Sequence, residues 1–158
     1  MATEHNLRPE ARPDDQDPLT IALLSEIAAI EQRARLRLQR ALPVGMQVSH
    51  FAVLNHFAHQ GGERTPAQLA RLFQVTRGAM TNTLHRLEEA GWIHIRPDWE
   101  DGRRKHVSLT RAGLEARARA VAAIAPIFAD IAEGMGPARL RSLLPLLRQL
   151  RMLLDERD

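Results

Sequence analysis

Apolar residues recur at intervals of three and four over most of the chain, a spacing that predicts a mainly helical protein. A first helix is predicted from Pro18 to just before Pro43, and a second over residues 46–60, where two glycines follow. Two more helices are predicted over 113–134 and 137–154, because a glycine-rich break separates two apolar stretches there.

Between these helices the sequence predicts two shorter ones joined by a turn. Thr65 and Pro66 form an N-cap followed by proline at the first helical position, and Gln68 completes a capping box. A second cap at Thr76 opens a helix that ends at Gly91. Its apolar residues are spaced to face a core on one side: Met80, Leu84 and Leu87.

A β-hairpin is predicted directly after this helix. Residues 92–96 and 106–110 alternate apolar and polar, as half-buried strands do. Asp101-Gly102 is a strong turn signal between them. The predicted fold is therefore mainly α with a small β-hairpin wing, that is, a winged helix-turn-helix with further helices on both sides.

The exposed face of the second short helix differs from an ordinary solvated helix face. Residues 76–86 contain no acid and offer hydroxyls, an amide, a histidine and two arginines, groups that pair with base edges and phosphates. The alternative is a plain polar surface. Seven residues are predicted to contact DNA from this helix: Thr76, Arg77, Gly78, Thr81, Asn82, His85 and Arg86.

Three bases next to the hairpin turn predict a second point of contact. Arg103, Arg104 and Lys105 follow the Asp101-Gly102 turn, and a hairpin tipped with arginine can enter the narrow minor groove. The alternative is a surface turn whose acids cancel its bases. Asp101, Arg103, Arg104 and Lys105 are predicted to be the DNA-binding residues of the wing.

The distribution of charge supports a nucleic-acid partner more than the formal net charge of +3 does. Residues 1–17 carry five acids against two arginines, whereas 65–113 carry eight bases against five acids. Residues 1–17 are predicted to be an acidic flexible tail. Cysteine is absent, and neither a long apolar run nor a secretory signal is present, so a cytoplasmic protein without a membrane partner is expected.

The first helix and the two C-terminal helices carry more apolar surface than one chain can bury, and leucines crowd the last helix. A second copy of the chain is predicted to cover them. Residues 18–45 and 114–158 are therefore assigned to a dimerisation region around the winged helix at 46–113. Pro126 and Pro145 predict bends in the C-terminal helices.

No enzyme, cofactor or metal is predicted. The chain has seven histidines, a residue type common in active sites, but it has no nucleophile elbow, phosphate-binding loop or H-E-x-x-H motif. His50, His56 and His59 lie on the second helix without a carboxylate cluster, and a ligand-lining role is favoured over zinc. A winged helix used only for protein contact is the competing function, and it predicts no basic wing.

Residues 101–113 resemble the wing signature of the MarR family (multiple antibiotic resistance regulators), D-x-R-x5-L-T-x-x-G, with Asp101, Arg103, Leu109, Thr110 and Gly113 at the named positions. The resemblance implies a homodimeric transcription regulator that binds pseudopalindromic double-stranded DNA and is released by a small ligand, typically as a repressor. It implies that Arg103 reaches the minor groove and that Asp101 shapes the wing and holds an arginine.

The resemblance also implies a ligand pocket between the dimerisation helices and the DNA-binding part of the chain. The second helix would then contribute to the pocket. His50 and Leu54 are its candidate lining residues.

Overall fold

The computed structural model describes residues 17–101 and 103–155. The predicted acidic tail, apart from Asp17, and the predicted turn residue Gly102 lie outside these described residues. Within the described residues, six helices and one hairpin follow in the predicted order: α1 Asp17–Ala41, α2 Val48–Gln60, α3 Pro66–Leu72, α4 Arg77–Glu89, β1 Ile93–Pro97, β2 Lys105–Leu109, α5 Arg111–Met135 and α6 Pro137–Asp155. The predicted fold class is confirmed.

The chain divides into two compact units after Arg37, inside α1. In the first unit, α1 carries the surface ion pair between Arg35 and Glu31, whose Nε and Oε1 lie 2.8 Å apart. Apolar side chains along this helix stay exposed, Leu19 and Ile30 among them. A helix with such a stripe does not bury it alone.

The second unit begins at Leu38 and holds the hydrophobic core. Its centre is formed by fully buried side chains from α2, α3, α4 and the wing: Leu54, Leu69, Leu84, Leu87 and Val107. The first half of α5 packs on this core through small residues, Ala116 and Ala120, and through Ile124. The hydrophobic core of the second unit therefore includes the first half of α5.

Both predicted caps of the helix-turn-helix are confirmed. Oγ1 of Thr65 accepts from the N–H of Gln68 at 3.2 Å, and the N–H of Thr65 donates to Oε1 of Gln68 at 2.8 Å. Oγ1 of Thr76 accepts from the N–H of Ala79 at 3.2 Å. These bonds satisfy backbone donors that a helix start leaves free, and so they fix where α3 and α4 begin.

The wing pairs β1 and β2 antiparallel, with Ile95 opposite Val107 and Arg96 opposite His106. Arg64 extends the sheet from the loop before α3: its N–H donates to the Val107 carbonyl at 3.1 Å, and its carbonyl accepts from the Val107 N–H at 2.9 Å. Residues 93–97 and 105–109 form the strands, so the predicted strands at 92–96 and 106–110 were each displaced by one residue.

The C-terminal helices α5 and α6 meet at an angle of 100° around Gly136. Each continues through its proline, Pro126 or Pro145, so neither proline ends a helix. None of the described residues of α6 is buried. No single helix in the described ranges is both long and apolar enough to cross a membrane; α5 and α6 pass that test of length and composition only as a bent pair.

Candidate nucleic-acid interface

Helix α4 presents one polar face to solvent and one apolar face to the core. Met80, Leu84 and Leu87 are buried, as predicted. All seven residues predicted to contact DNA are exposed: Thr76, Arg77, Gly78, Thr81, Asn82, His85 and Arg86. The free N–H groups at the start of α4 add positive potential on the same side of the helix.

Local contacts already orient part of this face. The Thr81 hydroxyl donates to the Arg77 carbonyl at 2.8 Å, which leaves its oxygen free to accept. Near the other end of the helix, Oε1 of Glu89 lies 3.7 Å from Nε2 of His85, and Oε2 lies 3.8 Å from an Nη of Arg86. Exposed pairs at such distances are weak, so both side chains can turn towards another anion.

A basic cleft of about 530 Å³ lies where the wing faces the starts of α3 and α4. Five of the described residues that line it are cations and none is an acid. The lining residues are Thr65, Pro66, Ala67, Gln68, Arg71, Arg77, Thr81, Arg103, Arg104 and Lys105. The predicted bases of the wing and two predicted residues of α4, Arg77 and Thr81, therefore meet in one place.

Helix α3 contributes residues to this basic cleft that the sequence interpretation did not assign. Arg71 and Gln68 line the cleft from α3, on the side of the helix away from the buried Leu69 and Ala70. Gln68 also closes the N-terminal cap, so its amide is held in place. The spacing of three residues between Gln68 and Arg71 could have indicated that both lie on one polar face of α3. The sequence interpretation treated α3 only as a support for the next helix.

Asp101 shapes the turn that carries the wing bases. Its Oδ1 accepts from the backbone N–H of Arg103 at 3.1 Å, and its carbonyl accepts from the N–H of Arg104 at 2.8 Å. The carboxylate lies 3.5 Å from Nε of Arg104. The arginine beside Asp101 is thus Arg104. Arg103 makes no ion pair with any described residue, so its guanidinium remains available.

Trp99 stands on the wing with 90% of its surface exposed. The guanidinium carbon of Arg96 lies 5.9 Å from its ring centre, within cation–π range. The pair adds a flat aromatic surface to the arm that carries the bases.

A second cleft of about 330 Å³ lies beside the basic cleft, between α4 and the wing. Its lining combines apolar Leu84 and Ile95 with His85, Glu88 and Lys105. Residues of α4 and of the wing thus also face each other beside the basic cleft.

His50 and Leu54, the candidate pocket residues, lie in the core. Leu54 has no exposed surface, and His50 is 6% exposed. Nδ1 of His50 accepts from the Gln47 N–H at 3.2 Å at the start of α2. Burial lowers the pKa of His50, partly offset by a backbone hydrogen bond with Gly45. Neither residue lines either cleft, so their ligand role stays a prediction.

No group of three or more histidine, cysteine or acidic residues is placed to hold a metal ion within residues 17–101 and 103–155. Asp98 and Glu63 lie on either side of His106 in the wing, at 2.6 and 3.9 Å. His106 lowers the pKa of Asp98 to about 2 through their hydrogen bond, with the backbone N–H groups of Glu100 and Asp101 adding to the effect.

Comparison with known proteins agrees with this geometry. Residues 44–104 match the model of the MarR family. A search of curated protein sequences found no match.

Solved structures with the same fold cover most of the chain. A MarR mutant from E. coli in complex with operator DNA is 24% identical, with a TM-score of 0.74 over 83% of this chain and 94% of that one. BpsR from Bordetella bronchiseptica, described with regulation of its DNA binding by 6-hydroxynicotinic acid, is 20% identical, with a TM-score of 0.73 over 82% and 98%. The PcaV regulator from Streptomyces coelicolor, in complex with its natural ligand, is 18% identical, with a TM-score of 0.68 over 96% and 97%.

Proposed function

We propose that this protein, whose winged-helix segment 44–104 belongs to the MarR family of transcription regulators, is a homodimeric repressor that binds a pseudopalindromic operator and is released by a small ligand. The MarR family consists of transcription regulators and not of enzymes. A chromosomal operator would place the protein in the cytoplasm.

The basic cleft is the observation that carries the proposal. Arg77 of α4 and Arg71 of α3 line it with the three wing bases, and no described acid lines it. A surface of this kind attracts a phosphate backbone, while the exposed face of α4 supplies groups that read base edges. Helix α4 then lies in the major groove, and Arg103 at the tip of the wing reaches the adjacent minor groove.

The exposed apolar residues of the terminal helices support the proposed dimer. Helix α6 has no described buried residue, and Leu146, Leu153 and Leu154 are each more than half exposed. Large apolar side chains exposed together along one helix are typical of an interaction surface. A two-fold symmetric pair would present two copies of α4 to successive major grooves, about 34–36 Å apart, which matches a pseudopalindrome.

Release by a ligand would act through the spacing of the two α4 helices. A ligand weakens DNA binding only as far as it binds the wrongly spaced form more tightly than the DNA-binding form. The regulators BpsR and PcaV, which share the fold, are described with small molecules. That precedent supports a search for a ligand of this chain without naming one.

Selection of bound DNA from a random pool tests the proposed function. We expect enrichment of a two-fold symmetric sequence, with affinity that falls steeply as salt rises because phosphate contacts release counterions. A screen for small molecules that release the selected DNA, and a reporter gene placed behind it, then test ligand response and repression.

The competing function, a winged helix that contacts only other proteins, predicts a different result. No sequence would be enriched, and any residual DNA affinity would show no preference between a symmetric site and its scrambled copy. Arg119→Ala, which removes an exposed charge from α5 outside the basic cleft, is the matched control for charge changes in the cleft.

A further inference from the structure

The side chain of Asp98 organises the tip of the wing. Its Oδ1 accepts from the backbone N–H of Glu100 at 2.8 Å and of Asp101 at 3.2 Å. Its own N–H donates to the Arg104 carbonyl at 2.9 Å, across the tip. Asp101 in turn accepts from the N–H of Arg103. Each contact fixes the next, so the position of Asp98 sets the path of the backbone that carries the bases.

His106 holds Asp98 from the opposite strand. Its Nε2 lies 2.6 Å from Oδ2 of Asp98, and both side chains are 23% exposed. His106 directly follows Lys105 on β2, and its cross-strand partner is Arg96. The histidine therefore ties the tip of the wing to the body of the hairpin beside the basic cleft.

Glu63 connects the same histidine to the loop before α3. Arg96 donates to both oxygens of Glu63, from Nε at 3.0 Å and from Nη2 at 2.6 Å. Oε2 of Glu63 lies 3.9 Å from Nδ1 of His106. His106 thus stands between two carboxylates, one at the tip of the wing and one beside the N-terminus of the helix that lines the basic cleft.

We infer that His106 and Asp98 form a positioning pair for the wing: the hydrogen bond between them sets how firmly the tip is held, and through it the DNA affinity of Arg103, Arg104 and Lys105. The inference rests on the proposed function for its DNA consequence. Its structural part, the coupling of His106 to the tip, stands on the contacts of the free protein.

Charged groups surround His106. Asp98 and Glu63 face its two ring nitrogens, Arg96 lies opposite on β1, and Lys105 precedes it on β2. A hydrogen bond that a carboxylate accepts is charge-assisted and stronger than a neutral one. Loss of the bond between His106 and Asp98 is therefore expected to loosen the tip and to weaken DNA binding.

Hydrogen exchange of the free protein, followed by NMR, tests the structural part. It is measured at the backbone N–H groups of Glu100 and Asp101, which Asp98 accepts from. We expect faster exchange in His106→Ala than in the wild type, and partial recovery in His106→Gln, whose side-chain amide can still donate to Asp98. Unchanged exchange in His106→Ala would overturn the inference, whether or not the protein binds DNA.

DNA affinity of the same variants tests the functional part. We expect His106→Ala to lose affinity by up to about fivefold, and His106→Gln to recover part of the loss. His59→Gln, an exposed histidine on α2, is the matched control and should keep the wild-type affinity. Equal affinities for the wild type and His106→Ala would overturn the functional part and leave the proposed function standing. If the wild type binds no DNA, the proposed function fails, and hydrogen exchange alone decides the coupling.

Discussion

Gly113 lies so close to the carbonyl oxygen of Trp92 that a Cβ atom added at position 113 would sit 1.9 Å from that oxygen. The contact joins the first turn of α5 to the end of α4. Thr110 adds to the same junction: its hydroxyl donates to the Gly91 carbonyl at 2.7 Å, and its N–H donates to the Trp92 carbonyl at 3.1 Å. The Thr-x-x-Gly part of the wing signature therefore attaches the start of α5 to the segment that follows α4.

Gly113→Ala should destabilise the fold. A backbone atom is in the way, so the junction must shift, and overpacking of this kind costs about 1–3 kcal/mol. That exceeds the gain of about 0.5–1 kcal/mol that alanine brings over glycine inside a helix. Urea unfolding measures the difference. Gly134→Ala, in the same helix with nothing within 4 Å of its added Cβ, is the control and should be neutral or stabilising. A Gly113→Ala protein as stable as that control would contradict the steric account.

The order of the helices, both caps of the helix-turn-helix and the buried face of α4 could be predicted because local spacing and capping decide them. The exact strand bounds could not be predicted, because Thr110 caps the start of α5 instead of pairing in the β-sheet. The face of α5 that packs on the core includes Ile124 but is otherwise made of Gly113, Ala116 and Ala120, which hydrophobicity alone does not single out.

Within the candidate site, the sequence could predict which residues of α4 and the wing are exposed. It could not predict that they line one cleft together with residues of α3. Arg71 enters the basic cleft only because the wing folds back towards α3, a contact made across more than thirty residues. Likewise, the arginine beside Asp101 is Arg104, which the turn geometry selects. Both details depend on tertiary contacts, which local patterns do not encode.

Arg71→Ala and Arg103→Ala should both weaken DNA binding without altering the fold, because both line the basic cleft and neither is part of the core. If Arg71 contacts a phosphate, its loss should reduce the salt slope of log K by about 1 on every sequence. Fluorescence anisotropy over a salt series measures both quantities. Arg119→Ala should keep the wild-type slope. Unchanged affinity in Arg103→Ala would remove the wing from the binding mechanism.

Asn82→Ala should change the choice among sequences more than the affinity for DNA in general. Its side chain is exposed on α4, and asparagine pairs with adenine through two hydrogen bonds, worth about 1–3 kcal/mol of discrimination. Affinities for the selected site and for a scrambled site are compared. Thr83→Ala is the control, because the Thr83 hydroxyl already donates to the Ala79 carbonyl at 3.1 Å. An equal loss on both DNAs would make Asn82 a phosphate contact.

His56→Phe should make the fold less sensitive to acid. Burial, with Arg64 adding to it, lowers the pKa of His56, and its Nε2 is buried without a hydrogen-bond partner among the described residues. The unfolded chain then takes up the proton first, so stability is full above about pH 6.5 and falls as pH drops towards the folded-state pKa. Phenylalanine keeps the ring contacts with Phe57 and Phe73 and removes the proton site.

Urea unfolding at pH 7.5, 6.5 and 5.5 measures this effect. The free energy of unfolding of the wild type should decrease over this series, while that of His56→Phe should decrease less. The burial of His50 lowers its pKa in the same direction, so part of the decrease should remain in the variant. His59→Gln, exposed one turn along α2, should follow the wild type. A variant that loses as much stability as the wild type would show that His56 is not the group responsible.

Charges placed on the leucine stripe of α6 should separate the proposed dimer. Leu147 and Leu154 lie seven residues apart on one side of that helix, and both are exposed in the single chain. If a second chain covers them, Leu147→Glu with Leu154→Glu buries two unpaired carboxylates, a cost of several kcal/mol that association does not offset. Sedimentation velocity should then show a monomer that keeps its helical circular dichroism. Truncation before Arg139 should have the same effect.

A matched substitution separates the effect of burial from that of charge alone. Gln149→Glu adds one acid to the polar side of the same helix and should leave the dimer intact. Two-fold binding to a pseudopalindrome needs both copies of α4, so the monomeric variant should also lose affinity for the full site while binding a half-site as weakly as one wild-type subunit does. A double variant that still sediments as a dimer would place the interface away from this stripe of α6.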